Sequence, residues 1–240
     1  EADISTGSEE TSNEITVSTL SGEVTWCLSK QRKKRSKTAG SDLSELRNYI
    51  EETQESLKNN SEFNLPVIVH YGVNRAVLEI PLRGRKKYSN ERVSAYEQSL
   101  DSVQINFNNF FQWFRKLEDL ENEQRLDDSN FLNYQLEAVR QAIYSLITGL
   151  SNLRIRRSPL RMTVKKQDRE LNVNQLSDGE KCLLAMVGDL ARRLAIANPG
   201  LEDPLLGDGI VLIDEVELHL HPKWQRDIIP ALKKTFPNCQ

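Results

Sequence analysis

The chain has 240 residues, 28% charged and 38% hydrophobic, with 32 basic and 35 acidic residues and a net charge of −3. The length fits one large domain or two small ones, and the near balance of charge excludes a protein that coats nucleic acid with its whole surface. No stretch approaches the roughly 20 apolar residues of a membrane helix, and three widely spaced cysteines argue against a zinc site or a disulfide framework. We therefore expect a cytoplasmic protein with no membrane partner. Its N-terminal sequence is neither a signal peptide nor an initiator methionine, so we also expect that it was cut from a longer chain.

The first 40 residues predict a β-hairpin followed by a basic loop. Alternating apolar residues at 15–17 and 24–28 indicate two strands with one buried face. Six of the eight residues 30–37 are basic, which fits either a solvated loop or a patch that contacts phosphates. The candidate phosphate contacts are Lys33, Lys34 and Arg35.

Residues 41–58 have the apolar spacing of a helix, which Ser41 or Asp42 would cap. The apolar run 65–69 that follows is typical of a strand buried on both faces. His70 and Arg75 come just beyond it, where open α/β sheets bind ligands. Both are candidates for ligand binding, although a histidine beside a buried strand is more often structural.

Two long amphipathic helices are predicted in the middle of the chain. Apolar residues recur at spacings of three and four over residues 93–117 and again over 132–150, with a polar break at 121–130. This pattern favours an antiparallel helical hairpin. The aromatic residues between 107 and 114 fit a core or interface better than a base-stacking surface.

A second β-hairpin is predicted over residues 153–173, with residues 165–169 as its turn. Its polar positions are rich in basic residues, so that the chain has two basic clusters and an anionic partner is indicated. The candidate nucleic-acid contacts here are Arg154, Arg156 and Arg157.

The four aliphatic residues 210–213 predict a strand buried on both faces, and Asp214 and Glu215 follow where it emerges. Two adjacent carboxylates at a buried strand end require a cation, and Mg²⁺ on a nucleotide phosphate fits that requirement. We assign Asp214 to the metal and Glu215 to the orientation of the water that attacks a γ-phosphoryl group. A strand that simply ends in a solvated acidic turn is the alternative.

A second motif lies directly before an amphipathic helix. Ser177 and Glu180 are spaced as a capping box, which by itself needs no function. Gly179 in the first turn costs helix stability but exposes backbone N–H groups at the positive end of the helix dipole, where a phosphate can bind. The motif consists of Leu176, Ser177, Asp178, Gly179 and Glu180.

Together, residues 176–180 and the strand ending in Asp214 and Glu215 resemble the signature and Walker B motifs of ABC-type ATPases. The Glu180-Lys181 ending is similar to the RecF/SMC branch. Residues 214–225 resemble the PtuA-like ATPases of Septu and retron anti-phage systems, within the wider class that includes the OLD nucleases. The firm resemblance covers about residues 171–240.

The resemblance implies an α/β fold, that of an ABC-type ATPase with a β-hairpin subdomain and an inserted antiparallel helical hairpin. Three domains are expected. Residues 1–90 form part of the ATPase core with the β-hairpin and basic loop, residues 91–150 form the helical hairpin, and residues 151–240 form the part of the core with both motifs. ATP and Mg²⁺ are the implied cofactors, and the signature residues would contact a nucleotide held by a second protomer. A homodimer or higher oligomer follows. The implied candidates for nucleotide sensing or the dimer seam are His219, His221 and Arg75.

The chain departs from the family pattern in one respect, because no Gly-Lys dipeptide occurs in it and the P-loop GxxxxGK[ST] is absent. It also stops before the family's next strand with its switch histidine. We therefore expect an ATPase fragment whose activity needs the missing P-loop and a second protomer.

The leading hypothesis is an ATP-hydrolysing subunit of a bacterial anti-phage defence complex that regulates an HNH-type nuclease. A reverse transcriptase with its RNA or DNA is a further candidate partner. Two alternatives stay open: a RecF/SMC-like DNA-repair ATPase that binds DNA directly, and a nucleotide-dependent scaffold without turnover.

Overall fold

A computed structural model describes residues 4, 8–19, 21–31, 40–60, 62–73, 91–101, 105–218 and 220–240. The chain divides into two compact units, Glu1–Ser61 and Glu62–Gln240. The division into 1–90, 91–150 and 151–240 stays a prediction.

The first unit contains an antiparallel hairpin and one helix. Strands β1 (Glu10–Thr19) and β2 (Gly22–Gln31) pair with Ile15 opposite Trp26, as the alternation of apolar residues predicts. The prediction of one buried face is wrong, because Ile15 and Leu28 are 44% and 48% exposed. The helix that packs against β2 has no buried residue, so it covers too little of the hairpin to bury a face.

Helix α1 (Ser44–Asn59) confirms the helix predicted over 41–58. Asp42 lies at its start, where the carboxylate accepts hydrogen bonds from the backbone N–H of Ser44 at 3.0 Å and from its hydroxyl at 2.7 Å. These bonds satisfy one of the amide donors that a helix leaves unpaired at its N-terminus.

The second unit contains a parallel pair of strands, β3 (Val67–Tyr71) and β7 (Gly209–Ile213), with Val67 opposite Gly209. The strands approach so closely that a Cβ on Gly209 would lie 2.8 Å from the Val67 carbonyl oxygen. Burial on both faces, predicted for each strand, is wrong. Val67 is fully buried, whereas Ile68 and Leu212 are 36% and 54% exposed, because one face packs on a helix and the other faces solvent.

That helix is α4 (Asp178–Ala197), the centre of the second unit. All of its residues except Asp178, Lys181 and Ile196 are buried. It is capped at its C-terminal end by Asn198, whose amide oxygen accepts from the Leu65 N–H at 2.7 Å and whose amide nitrogen donates to the Leu65 carbonyl at 3.2 Å. One side chain thus fixes the chain that leads into β3 against the end of α4.

Helices α2 (Phe107–Gln124) and α3 (Tyr134–Leu146) both pack against α4. The aromatic residues of α2 form the core of this contact, as predicted, and Phe110 and Phe114 are fully buried. Two buried carboxylates of α2 add a polar connection: Glu121 accepts from Arg140 of α3 at 3.0 Å, and Glu118 accepts from the Ile155 N–H at 3.1 Å.

A single helix over residues 93–117 was predicted, and this prediction is wrong. Residues Arg92–Tyr96 form a short 3₁₀ turn, and α2 begins only at Phe107. Gln98 has a φ of +55°, which a helix cannot accommodate, and Asn106 caps α2 by accepting the Asn109 N–H at 3.2 Å. Local backbone geometry and a cap therefore override the apolar periodicity.

An antiparallel sheet follows α3. It consists of β4 (Leu150–Arg157), β5 (Leu160–Lys166) and β6 (Arg169–Asn172). The predicted hairpin is confirmed, and the turn between β5 and β6 is shortened to Gln167 and Asp168, both of which have positive φ, 48° and 63°.

Helix α5 (Pro222–Thr235) continues through Pro230. Pro230 lies on the exposed side, where water can hydrate the carbonyl that loses its amide partner. Beyond α5, the backbone of Gln240 runs beside β7, donating to the Gly209 carbonyl at 2.9 Å and accepting from the Val211 N–H at 2.7 Å. The thiol of Cys239 lies inside this edge, 3.8 Å from the Gly207 carbonyl.

Candidate functional site

The first part of the candidate site is the edge at which β3 and β7 end. Because the strands are parallel, their carboxyl ends meet, and the Asp214 N–H donates to the Tyr71 carbonyl at 2.9 Å. The Asp214 carboxylate lies 3.2 Å from Nε2 of His70. The structure therefore brings together a histidine and a carboxylate that are 144 positions apart in sequence.

The two carboxylates at this edge face solvent. The Asp214 side chain is 55% exposed, and Glu215 is exposed with a φ of +43°. Its carbonyl accepts the Leu218 N–H at 2.9 Å, which closes a tight turn after β7. The argument that buried charges here require a cation is therefore wrong, and the position at the carboxyl edge of a parallel sheet supports the assignment instead.

This donor set fits Mg²⁺ on a nucleotide. Mg²⁺ keeps several waters and typically takes about one or two protein carboxylates together with phosphate oxygens. Among the residues that the structure describes, no group of three or more histidine, cysteine or acidic side chains could hold a metal by itself. Asp214 and Glu215 could thus hold such an ion only together with oxygens from a nucleotide and water.

The second part is the signature segment 176–180 at the N-terminus of α4. The predicted capping box is present: Ser177 accepts the Glu180 N–H at 3.4 Å, and Glu180 accepts the Ser177 N–H at 3.0 Å. Leu176 and Gly179 are buried, whereas Ser177 and Asp178 are exposed. A serine hydroxyl and the positive end of a 20-residue helix are thus presented to solvent.

Sequence reasoning missed the cation behind this motif. Glu180 is only 3% exposed, and its second oxygen lies 2.6 Å from the ammonium group of Lys166 on β5. Burial raises the pKa of Glu180, but the hydrogen bonds from Lys166 and Ser177 outweigh it and hold this pKa below its usual value. Lys166 was only one of many basic residues in its cluster, and no sequence signal paired it with Glu180.

A buried charge cluster also joins the sheet edge to α4. The Tyr71 hydroxyl donates to Asp189 at 3.1 Å, and the same carboxylate binds Arg192 at 2.7 Å and Arg193 at 2.6 Å. Three charged residues at spacings of three and four within an otherwise apolar helix pattern were the signal that could have found it.

The positions of the remaining predicted site residues do not point to a ligand. His221 precedes α5, and its carbonyl accepts the Trp224 N–H at 2.8 Å, which is a capping position. Arg156 is ion-paired with Glu170 and Arg157 with Asp119, so both guanidinium groups are neutralised within the chain. The following predicted residues lie outside the described part of the chain: Lys33, Lys34, Arg35, Arg75 and His219.

Comparison with known proteins identifies the family. Residues 23–240 match the family model described as "AAA domain, putative AbiEii toxin, Type IV TA system". The chain belongs to this AAA domain family. The resemblance to retron and PtuA-like ATPases is confirmed, and the mixed α/β fold agrees with it.

Curated relatives of the AAA domain protein include retron probable ATPases and a Septu protein. It is 33% identical to the Retron Vc95 probable ATPase of Vibrio cholerae serotype O1 biovar El Tor, over 89% of this chain and 50% of that protein. It is 54% identical to the Retron Ec83 probable ATPase of Escherichia coli, over 44% of this chain and 19% of that protein. The Septu protein PtuA of Bacillus mycoides (strain KBAB4) is 35% identical over 28% of this chain and 9% of that protein. The chain thus spans 50% of the length of the Vibrio relative and a smaller share of the other two.

Among the described residues of this AAA domain protein, no helix is both long and apolar enough to cross a membrane.

Proposed function

We propose that the chain carries the Walker B and signature parts of an ABC-type ATPase that binds ATP with Mg²⁺ and hydrolyses it. The observation that supports this most directly is the carboxyl edge of the parallel sheet, where His70, near the end of β3, lies beside Asp214, which follows β7 and precedes Glu215. The relatives named as ATPases support the same activity.

The side chains at this edge have separate roles in hydrolysis. Asp214 would hold Mg²⁺. The His70 ring lies 3.2 Å from the Asp214 carboxylate and orients that carboxylate. Glu215 orients a water molecule and takes its proton as the water attacks the γ-phosphorus in line with the leaving diphosphate. When bound, Mg²⁺ would neutralise the charge that builds on the phosphate oxygens.

The signature segment acts on a second nucleotide site. Ser177 and Asp178 at the start of α4 are exposed, so they are available to a nucleotide held by another protomer. We propose a homodimer, or a higher oligomer, in which each protomer completes the other's site. The ABC-type subdivision into core, β-hairpin and helical hairpin belongs to the same proposal.

We place this ATPase in a bacterial anti-phage defence complex of the retron or Septu type, in which it regulates an HNH-type nuclease, with a reverse transcriptase as a further partner in retrons. The names of the relatives support the setting. Direct DNA binding by the second basic cluster has less support, because Arg156 and Arg157 are already paired with carboxylates.

A matched pair of substitutions in the full-length gene product tests the proposal. Glu215→Gln should lower ATP hydrolysis by about 10²- to 10⁴-fold, as expected for loss of a general base, while ATP binding persists. Glu217→Gln, in the same turn and equally exposed, should leave the rate unchanged. Phosphate release reports hydrolysis, and plaque counts on cells with the complete operon should show that only Glu215→Gln loses protection.

Hydrolysis at the normal rate in Glu215→Gln would show that this residue is not the base. ATP-dependent dimerisation with no phosphate release by the unaltered protein would instead favour the scaffold.

A further inference from the structure

The signature segment contains a buried carboxylate with both oxygens engaged. Oε2 of Glu180 accepts the Ser177 N–H at 3.0 Å and the Ser177 hydroxyl at 2.8 Å, and Oε1 lies 2.6 Å from Nζ of Lys166. This carboxylate of the capping box is buried, since Glu180 is only 3% exposed. A charge buried to that extent needs a cation beside it.

Lys166 is held in place to provide that cation. It is the last residue of β5, and the two residues after it, Gln167 and Asp168, both adopt positive φ and turn the chain into β6. Its neighbour Lys165 is exposed and, by strand alternation, points to the opposite face of the sheet. Within α4, Asp178 and Lys181 pair with each other at 3.1 Å.

We propose that Lys166 is a positioning residue for the nucleotide contact of Ser177 and acts through Glu180. This inference rests on the proposed function, in which the ligand of Ser177 is the γ-phosphate of a nucleotide held by a second protomer. To bind it, the Ser177 hydroxyl must turn from Glu180 to a phosphate oxygen. Lys166 keeps Glu180 anionic during that change, so that the backbone N–H of Ser177 stays bound while the hydroxyl is released.

Removal of Lys166 should weaken this arrangement in a pH-dependent manner. Burial is the largest influence on the pKa of Glu180 and raises it, and Lys166 is the strongest influence in the opposite direction. Without Lys166 the carboxyl group takes up a proton at higher pH than in the unaltered protein. Once protonated, it accepts the Ser177 N–H less well.

The experiment compares Lys166→Met with Lys165→Gln as a matched control in the full-length gene product. Lys166→Met should lower the rate of ATP hydrolysis by about tenfold, which corresponds to a loss of about 1.4 kcal/mol of transition-state stabilisation. It should also weaken ATP-dependent dimerisation. The loss should shrink as the pH rises, and Lys166→Arg should recover most of the rate. Lys165→Gln should behave as the unaltered protein.

A double-mutant cycle with Glu180→Gln tests whether Lys166 acts through Glu180. If it does, Lys166→Met causes no further loss in the Glu180→Gln background. An equal loss in both backgrounds, or a normal rate in Lys166→Met alone, would overturn the role.

Amide hydrogen exchange separates this inference from the proposed function because it needs no nucleotide. The Ser177 amide should exchange about tenfold faster in Lys166→Met but not in Lys165→Gln, whereas the Leu190 amide inside α4 stays protected if the fold is intact. If the unaltered protein hydrolysed no ATP but the variants gave this exchange pattern, the ATPase would be rejected, and only the placement of Ser177 by Lys166 through Glu180 would stand. An unchanged Ser177 amide would reject the positioning role whatever the ATPase result.

Discussion

At the scale of single residues, the strongest electrostatic feature is Asp189 in the middle of α4. It is 3% exposed and bound to Arg192, Arg193 and the Tyr71 hydroxyl. Burial raises the pKa of Asp189, but the two guanidinium groups more than compensate, and the pKa lies at about 2. The carboxylate thus connects the strand that carries His70 to the helix that carries Ser177.

Asp189→Asn should lower the free energy of unfolding by about 3 to 5 kcal/mol, because it leaves two buried guanidinium groups without their counter-charge. Urea unfolding of the variant at pH 7 measures this loss. Glu202→Gln, an exposed acidic residue after the same helix, serves as the control and should change stability by less than about 0.5 kcal/mol.

The same carboxylate predicts a pH dependence. Its pKa is lower in the folded protein than in the unfolded chain, so its contribution is complete above about pH 4 and disappears as the pH falls toward 2. Urea unfolding at pH 5 and pH 3 should show a smaller pH-dependent loss in Asp189→Asn than in the unaltered protein. Equal losses would show that other groups dominate acid unfolding.

At the scale of elements, α4 organises the second unit because helices pack against it closely. Gly188 marks a close approach, since a Cβ built there would lie 2.9 Å from the ring of Phe110 on α2. Phe110 is fully buried and has no room to move aside. The glycine is therefore required by helix packing, although it lowers the intrinsic stability of the helix.

Gly188→Ala should destabilise the protein by about 1 to 3 kcal/mol, because overpacking outweighs the gain in helix propensity. A second substitution, Phe110→Leu, makes room and should reduce the cost of Gly188→Ala when the two are combined. Urea denaturation of the single and double variants measures the coupling. Stabilisation by Gly188→Ala alone would mean that the two helices can separate without cost.

At the scale of the whole molecule, the two units differ in how much apolar surface their described residues bury. The second unit contains the buried aromatic residues of α2 and the buried side of α4, whereas α1 of the first unit has no buried residue. Burial of apolar surface is the dominant source of folding free energy. The two units should therefore differ in their ability to fold alone.

Residues 62–240 expressed alone should unfold cooperatively in urea, with Trp113, 8% exposed, as a fluorescence reporter. Residues 1–61 alone should show no cooperative transition by circular dichroism. A cooperative transition in the shorter piece would mean that its hairpin and helix are stabilised by contacts other than apolar burial.

The sequence was most informative where pattern and local chemistry agree. The first β-hairpin, the capping box of Ser177 and the carboxylates after β7 all follow from spacing within a few residues. It was least informative where distant segments meet, because no spacing pairs Lys166 with Glu180 or His70 with Asp214. The apolar runs also led us to predict too much burial. Leu212 lies in such a run, but it is on a sheet face that no described element covers.

The backbone contact between Gln240 and β7 provides a way to measure local opening of this sheet edge. Cys239 lies within that edge, and burial raises the pKa of its thiol to about 11, so that it stays protonated and unreactive at neutral pH. Reagents that alkylate thiolates should react with it faster when the backbone of Gln240 separates from β7. The rate at which Cys239 is labelled then reports how often the strand that leads into Asp214 and Glu215 loses its neighbour.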